Sequence, residues 1–145
     1  MEIKGNRNVA RVTVHGVPDK PGEAGRLFDT LGEHNVNVEL ISPSPGEGRT
    51  MDISFAVTAD DLENVVNIIK KLYSHKISFD KEVAMLSLYS DGLGKSPGVA
   101  GKVFSTLGDN DINIELISAS INSISALIKE KYLEKSIEIL KQTLD

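Results

Sequence analysis

The sequence predicts an α+β protein made of two small domains, each with the element order β-α-β-β-α-β. Three observations support this fold class: a repeat that covers most of the chain, strand-like and helix-like patterns at matching places in both copies, and a globular composition. The 145-residue chain is 40% hydrophobic and 26% charged, which is typical of a chain that buries a core rather than of a disordered one.

The repeat is clearest where residues 21–42 are aligned with residues 97–118. Thirteen of the 22 aligned positions are identical, and four of the other nine exchange Arg with Lys, Glu with Asp or Val with Ile. The similarity continues on both sides of this block, in the paired segments 9–14 with 83–88 and 52–57 with 123–128. A unit of about 70 residues is near the lower size limit for independent folding. The sequence therefore predicts a first domain at 9–80 and a second at 81–145.

Hydrophobic periodicity places the elements of the first copy. Ala10, Val12 and Val14 alternate with polar residues, which is the pattern of a half-buried strand. A helix should follow, opened by residues 19–22 with Asp19 as its cap. Two strands at 36–40 and 51–57, joined by a loop at 43–48, come next. A second helix with Asp60 as its cap and Glu63 at capping-box spacing then precedes a short strand at 76–79. This order is that of the ferredoxin-like fold.

The second copy repeats this order but ends one strand short. Its predicted elements are strands at 83–89, 112–118 and 123–129 and helices at 97–108 and 132–144. A sheet without its fourth strand would expose an edge or an apolar face. Because Glu2-Ile3-Lys4 is the one remaining candidate for that strand, we predict that residues 1–8 complete the second domain. The first domain would then be inserted within the second.

Charge and composition exclude several classes of partner. Sixteen Lys and Arg residues against 21 Asp and Glu residues give a net charge of −5, whereas a nucleic-acid binder needs a basic patch. The chain has no cysteine, which fits a cytoplasmic protein and excludes thiolate sites. No apolar run reaches the 18 to 20 residues, roughly, that a membrane helix needs. We therefore expect no nucleic-acid partner, no membrane contact and a cytoplasmic location.

No catalytic or metal-binding set stands out in the sequence. His15, His34 and His75 lie far apart without the close spacing of metal ligands, and no Ser/His/Asp set or carboxylate pair is evident. The segment 92–96 resembles a phosphate-binding loop but lacks its first glycine, so it is interpreted as a turn. Phe55 is interpreted as a core residue rather than as an RNA-stacking aromatic. We expect no catalytic residue, no metal and no cofactor.

The junction before the first helix is the remaining candidate site. In the segment Asp19-Lys20-Pro21-Gly22-Glu23-Ala24, backbone N–H groups at a helix N-terminus could receive a carboxylate. Gly22 would allow close approach, and Asp19 could receive an ammonium group. Such a site suits a free amino acid. The alternative interpretation is that Pro-Gly starts a helix and Asp19 caps it, and the residues alone leave both open.

The ordered motifs resemble the tandem ACT-domain regulatory region of the aspartokinase family. The segments that carry the resemblance are Val17-Pro18-Asp19-Lys20-Pro21-Gly22-Glu23-Ala24, Val36-Asn37-Val38-Glu39-Leu40-Ile41, Asp52-Ile53-Ser54-Phe55, Ser96-Pro97-Gly98-Val99-Ala100 and Asn113-Ile114-Glu115-Leu116-Ile117-Ser118. The resemblance implies an allosteric module that binds lysine and/or threonine and feeds back on a kinase in lysine and threonine biosynthesis. The kinase lobe itself is missing, so the module would act on a separate catalytic subunit or domain, and a homodimer is expected.

The resemblance also implies which residues form the effector site. Asp19 would hold the ammonium group, the Gly22 and Ala24 backbone the carboxylate, and Glu23 would line the loop. The remaining residues implied are Glu39 and Ser54 at the effector side chain, and Asp111, Asn113, Ile114 and Ser120 from the second copy.

Four positions depart from the family pattern. Pro43 replaces a usual Gln, Ser96 replaces the usual His before the second Pro-Gly, Ala119 lacks the usual hydroxyl, and Ile121 replaces a carboxylate. An apolar residue cannot replace a hydrogen bond, and its loss can leave a partner unsatisfied at a cost of about 1–3 kcal/mol. The alternative function is therefore an ACT-type dimerisation module that has lost its effector.

Overall fold

The computed structural model describes residues 1–73, 76–93 and 97–144. It divides into two compact units, Asn8–Lys81, here called domain 1, and Met1–Arg7 with Glu82–Asp145, here called domain 2. Each unit contains a four-stranded antiparallel sheet and two α-helices. The predicted α+β class and ferredoxin-like element order are confirmed.

The strands and helices follow one another along the chain in the predicted order. They are β1 (Glu2–Asn6), β2 (Val9–Pro18), α1 (Glu23–Glu33), β3 (Val38–Pro45), β4 (Thr50–Thr58), α2 (Leu62–Leu72), β5 (Ile77–Asp80), β6 (Val83–Tyr89), α3 (Val99–Asp109), β7 (Leu116–Ala119), β8 (Ser123–Lys129) and α4 (Leu133–Leu144). The strand order is β3-β4-β2-β5 in domain 1 and β1-β6-β8-β7 in domain 2.

In domain 1, alternation along the strands separates a core face from a polar face. Val12 and Val14 of β2 are fully buried and belong to the same cluster as Leu27 and Leu31 of α1. Phe55 of β4 completes this cluster and meets Phe28 edge to face, with ring centroids 5.4 Å apart. Phe55 is thus a core residue, as predicted.

In domain 2, the chain's first residues supply the edge strand. β1 pairs antiparallel with β6, from Glu2 opposite Tyr89 to Asn6 opposite Met85. In domain 1 the corresponding place beside β2 is taken by β5. The backbone at Gly5 comes so close to α4 that a Cβ there would lie 2.8 Å from Leu133 Cδ2.

Both predicted helix caps are wrong. α1 begins at Glu23, its N-cap is Gly22, and neither Asp19 nor any other side chain caps it. A 3-10 turn at Ala59–Asp61 precedes α2 and moves the helix start beyond Asp60, whose carboxylate instead accepts a hydrogen bond from the Asn8 amide at 3.3 Å.

The boundaries of two edge strands also differ from prediction. β3 continues to Pro45 through the segment predicted as a loop at 43–48. Proline is tolerated there because β3 lies at the sheet edge, where one side needs no N–H donor. β7 begins at Leu116 rather than at residue 112, because the preceding chain is still turning out of α3 at Asp111, whose φ is 57°.

Candidate functional site

The predicted site in domain 1 is the junction between β2 and α1. The N–H of Asp19 donates to the Arg49 carbonyl at 3.0 Å, which ties the junction to the hairpin between β3 and β4. Gly22 has a φ of 93°, in the left-handed region, and α1 begins at the next residue. A residue without Cβ adopts this conformation readily, so Gly22 determines where the helix starts.

The N-terminus of α1 is open to an anion. No side chain caps it, and a helix leaves its first N–H groups without partners inside the helix. Gly22 and Ala24 are exposed, and a Cβ built on Gly22 would meet no atom within 4 Å. The helix dipole favours negative charge at this point. The Asp19 side chain is also exposed, so an acceptor for a cation precedes the open helix end.

Glu23 points inward, in contrast to Asp19. Its side chain is 13% exposed, and Oε1 lies 3.8 Å from Lys20 Nζ. Among the described residues, no donor reaches its buried Oε2 atom. A buried carboxylate oxygen without a donor is costly. A cationic group that reached this oxygen would therefore be bound favourably.

Tyr73 and Arg26 surround the backbone of Glu23. The Tyr73 hydroxyl donates to the Glu23 carbonyl at 3.5 Å, and the Arg26 guanidinium lies 5.5 Å from the Tyr73 ring centroid. Burial and, second, the Glu23 charge raise the pKa of Tyr73, while Arg26 acts in the opposite direction. The first turn of α1 is thus held by packing on its inner side, while its N-terminal end stays exposed.

Glu39 and Ser54 lie on the sheet face that points away from the helices. Glu39 pairs with Ala56, two residues from Ser54 along β4, and Ser54 Oγ lies 2.8 Å from Thr13 Oγ1. Immediately after Glu39 the register shifts, and Leu40 adopts a φ of 57°. A bulge of this kind bends a strand and redirects its side chains. The structure thus brings Glu39 and Ser54 to one face of the sheet.

In domain 2 the predicted residues fall in two places. Asp111 adopts its left-handed φ at the start of the segment before β7, where Asn113 is exposed and Ile114 packs partly against the core of domain 2. Ser120 follows the other end of β7, and its Oγ lies 2.8 Å from Ser123 Oγ. Within domain 2, strand β7 therefore separates Ser120 from the group formed by Asp111, Asn113 and Ile114.

The structure joins three residues that the sequence analysis left apart. Asp52 Oδ2 lies 3.2 Å from His15 Nδ1, and His15 Nε2 lies 2.9 Å from Ser78 Oγ. The spacing of these three residues along the chain gave no sign of this arrangement. These residues meet because β2 pairs with β4 on one side and with β5 on the other, and this pairing cannot be deduced from spacing along the chain. Such a set is not sufficient for acyl transfer, which also needs donors placed at the developing oxyanion.

A cavity of about 370 Å³ opens beside these residues, lined by His15, Gly16, Glu47, Thr50, Asp52 and Lys76. Within the described ranges, no group of three His, Asp or Glu side chains could hold a metal ion. His34 instead contacts the Thr30 carbonyl through Nδ1 at 2.8 Å. His75 and residues 94–96 of the glycine-rich turn lie outside the described residues.

None of the described helices is long and apolar enough to span a membrane. The longest, α4, has 12 residues.

Comparison with known proteins identifies the family. The profile of the ACT domain family matches residues 12–73 and 86–144, one match in each repeat. The chain belongs to the ACT domain family. The two ACT repeats predicted from the sequence are thereby confirmed.

The relatives of this ACT pair include aspartokinases. The chain is 34% identical to the aspartokinase of Corynebacterium efficiens over 143 residues, which cover 94% of this chain and 34% of that protein. It is 33% identical to the aspartokinase of Pseudomonas aeruginosa over 139 residues, or 93% and 34% of the two proteins. The chain thus spans about a third of the length of these curated relatives, and the predicted resemblance to aspartokinase is confirmed.

Two solved structures of similar length share the fold of this ACT pair. A chain from the crystal structure of aspartokinase alpha and beta subunits is 33% identical, with a TM-score of 0.92 over 99% of this chain and 97% of that one. The ligand-free regulatory subunit of aspartate kinase from Thermus thermophilus gives a TM-score of 0.93 over 100% and 98% of the two chains. At 23% identity, this second similarity shows the fold alone.

Proposed function

We propose that this ACT pair is an amino-acid-binding allosteric module of the aspartokinase type. The observation that carries the proposal is the junction at Asp19–Ala24, where an uncapped helix end follows an exposed carboxylate. The two groups suit the carboxylate and the ammonium of a free amino acid. The similarity to aspartokinases over almost the whole chain makes lysine and threonine the first effectors to test.

The binding mode follows from the charges at the junction. The effector carboxylate would accept hydrogen bonds from the backbone at Gly22 and Ala24, and its ammonium would face Asp19. The buried Oε2 atom of Glu23 offers a second acceptor for a cation, and reaching it requires the junction to open. Glu39 would select a cationic side chain over an apolar one. The contribution of Asp111, Asn113, Ile114 and Ser120 remains a prediction from the resemblance.

The partner of the module would be a kinase catalytic subunit or domain in the cytoplasm. A similar chain of almost the same length occurs in the structure of aspartokinase alpha and beta subunits. Effector binding would change the relative stability of two arrangements of such an assembly, with a coupling of about 1–3 kcal/mol. A homodimer of the module is the corresponding proposal for the isolated chain.

Thermal unfolding of the chain in the presence of each of the twenty amino acids tests this function. A ligand that binds only the folded state stabilises it by about 2.7 kcal/mol at a hundredfold excess over Kd. We expect lysine or threonine to raise the melting temperature at sub-millimolar concentration. Asp19→Asn should remove that shift, whereas Asp29→Asn, a matched change on the exposed part of α1, should keep it. A wild-type chain that responds to none of the twenty would contradict the proposal.

The alternative, an assembly module without effector, is favoured by one observation. Ile117 on the edge strand β7 is 47% exposed, and Ile121 in the following turn is 70% exposed. Apolar side chains at a sheet edge suit a protein contact. If no amino acid binds and light scattering shows a stable dimer, the assembly function is the correct one. Ile121→Glu should then dissociate that dimer.

A further inference from the structure

The carboxylate of Asp52 connects three strands of domain 1. Its Oδ1 atom accepts the N–H of Gly16 at 3.1 Å, and its Oδ2 atom lies 3.2 Å from His15 Nδ1. His15 continues the connection from β2 to Ser78 on β5 at 2.9 Å. These four residues, Asp52, Gly16, His15 and Ser78, are here called the Asp52 cluster.

The Asp52 cluster lies where β2 loses its regular pairing. The register between β2 and β4 is interrupted between Val14 and Val17, and Gly16 has a φ of 74°. A bulge leaves a backbone group without a ladder partner. Asp52 provides that partner, because its carboxylate receives the Gly16 N–H across the interruption. The bulge is thus fixed by a side chain of the neighbouring strand.

The path of the chain after this bulge leads directly to the effector junction. β2 pairs again with β4 at Val17 and Pro18, opposite Met51 and Thr50. The next residue, Asp19, is held by the Arg49 carbonyl. Three residues beyond it, Gly22 is the N-cap of α1. The bulge at Gly16 therefore lies three residues before Asp19, and Val17 and Pro18, paired with β4, connect the two.

The charge on Asp52 strengthens this arrangement. The Gly16 N–H and, second, the His15 hydrogen bond hold the pKa of the Asp52 carboxyl below its ordinary value, against a smaller opposing effect of burial. The group is therefore ionised at neutral pH, and hydrogen bonds to an ionised acceptor are shorter and stronger than neutral ones. Lys76 and Glu47 are the other charged groups at the adjoining cavity.

The second repeat has no such carboxylate at the matching position. Ser123 takes the place of Asp52 in the repeat and pairs with Tyr89. The N–H of Ser90 donates to the Asn122 carbonyl at 3.0 Å, so a backbone bond holds the strand end there. The carboxylate is therefore a feature of domain 1, the domain that carries the proposed junction at Asp19.

We infer that Asp52 is a positioning residue for the effector junction. Its carboxylate fixes the bulge at Gly16 and thereby places Asp19 and the N-terminus of α1 for an amino acid that Asp52 itself does not touch. The inference rests on the proposed function for the identity of its ligand. The effect of Asp52 on the bulge does not depend on the proposed function, because it is present in the ligand-free chain.

The test compares Asp52→Ala with Asp52→Asn. The amide side chain keeps an oxygen for the Gly16 N–H, whereas alanine removes it. In the ligand-free chain we expect the Gly16 amide to exchange its hydrogen at least tenfold faster in Asp52→Ala, with faster exchange through residues 17–22. Asp52→Asn should stay close to wild type. Asp29→Asn, which removes the same charge elsewhere in domain 1, controls for net charge.

Calorimetric titration with lysine and with threonine then measures the effect on binding. We expect Asp52→Ala to weaken the affinity about tenfold and Asp52→Asn to stay within about threefold of wild type. Equal exchange in all variants, or equal loss of affinity in Asp52→Ala and Asp52→Asn, would overturn the inference. If the alanine variant does not fold, Asp52→Ser, which introduces the residue of the second repeat, replaces it. If wild type binds no amino acid, the proposed function fails, and the exchange experiment alone decides the role of Asp52.

Discussion

The two repeats begin their first helix in the same way and complete their sheets differently. α1 and α3 each follow a glycine in the left-handed region, Gly22 at 93° and Gly98 at 85°, and neither has a side-chain cap. Domain 1 completes its sheet with β5, whereas domain 2 uses β1 from the opposite end of the chain. The helix start is therefore common to both copies while the sheet edge has diverged. This difference predicts which substitutions the two domains tolerate.

Removal of residues 1–7 should have the largest effect. It deletes β1, exposes the edge of β6 and uncovers Leu133 and Ile137 of α4, which face Gly5. We expect domain 2 to lose more than about 3 kcal/mol of stability, beyond the cost of most single substitutions. Domain 1 should be unchanged. Denaturant unfolding followed by NMR signals of each domain measures both, and equal stability of domain 2 with and without β1 would contradict the role of this strand.

Val65 and Ser136 hold the same place in the two repeats and are both fully buried. Among the described residues, no partner reaches the Ser136 hydroxyl. Val65→Ser should therefore destabilise domain 1 by about 3 kcal/mol, through lost packing and an unsatisfied hydroxyl. Ser136→Val should stabilise domain 2 by about 1 kcal/mol. Denaturant midpoints measure both changes, with Ser105→Ala on the exposed side of α3 as the control. A loss of stability in Ser136→Val would show that the hydroxyl is satisfied in solution.

Gly5 and Phe79 occupy corresponding places on β1 and β5. A Cβ at Gly5 would lie within 3 Å of two Leu133 methyl carbons, whereas the Phe79 side chain is 51% exposed beside α2. Gly5→Ala should cost domain 2 about 1–2 kcal/mol, because the buried Leu133 must move. Phe79→Ala should cost domain 1 less than about 1 kcal/mol. Comparable losses from the two substitutions, measured by denaturant unfolding, would show that the strands are packed alike.

Acidification should have a smaller effect through Asp52, namely the loss of the stability that its carboxylate gives to domain 1. The folded pKa of Asp52 is below its ordinary value of 3.8, so its carboxylate stabilises the fold above that pH. This stabilisation is lost as the pH falls through the folded pKa. Wild type should therefore lose stability more steeply than Asp52→Asn below about pH 4. Parallel curves of unfolding free energy against pH would show that Asp52 is equally acidic in the unfolded chain.

Much of the fold could be predicted because the repeat shows each pattern twice. The alternation in β2 and β6 and the stripes of the helices agree between copies, so the element order could be checked within the chain itself. The helix caps could not be predicted. Asp19 and Asp60 have the residue type of a cap, but a left-handed Gly22 and a 3-10 turn move the two helix starts past them.

The candidate site was only partly predictable. The junction at residues 19–24 is contiguous, so its place between β2 and α1 follows from local sequence. Its open helix end does not, because the sequence predicted Asp19 as the cap. The Asp52 cluster joins residues from three strands. These residues come together because of the pairing register and because a bulge interrupts the pairing of β2 with β4. The buried Oε2 atom of Glu23 likewise depends on tertiary packing. Neither leaves a signal in a single sequence.

Calorimetric titration of the wild-type chain with lysine and with threonine tests the central claim most directly. The account predicts saturable binding of at least one of them with a sub-millimolar Kd. It further predicts that Asp19→Asn weakens this binding at least tenfold and that Asp29→Asn leaves it unchanged. Absence of binding by the folded wild-type chain, or equal affinity in the Asp19 variant, would contradict it.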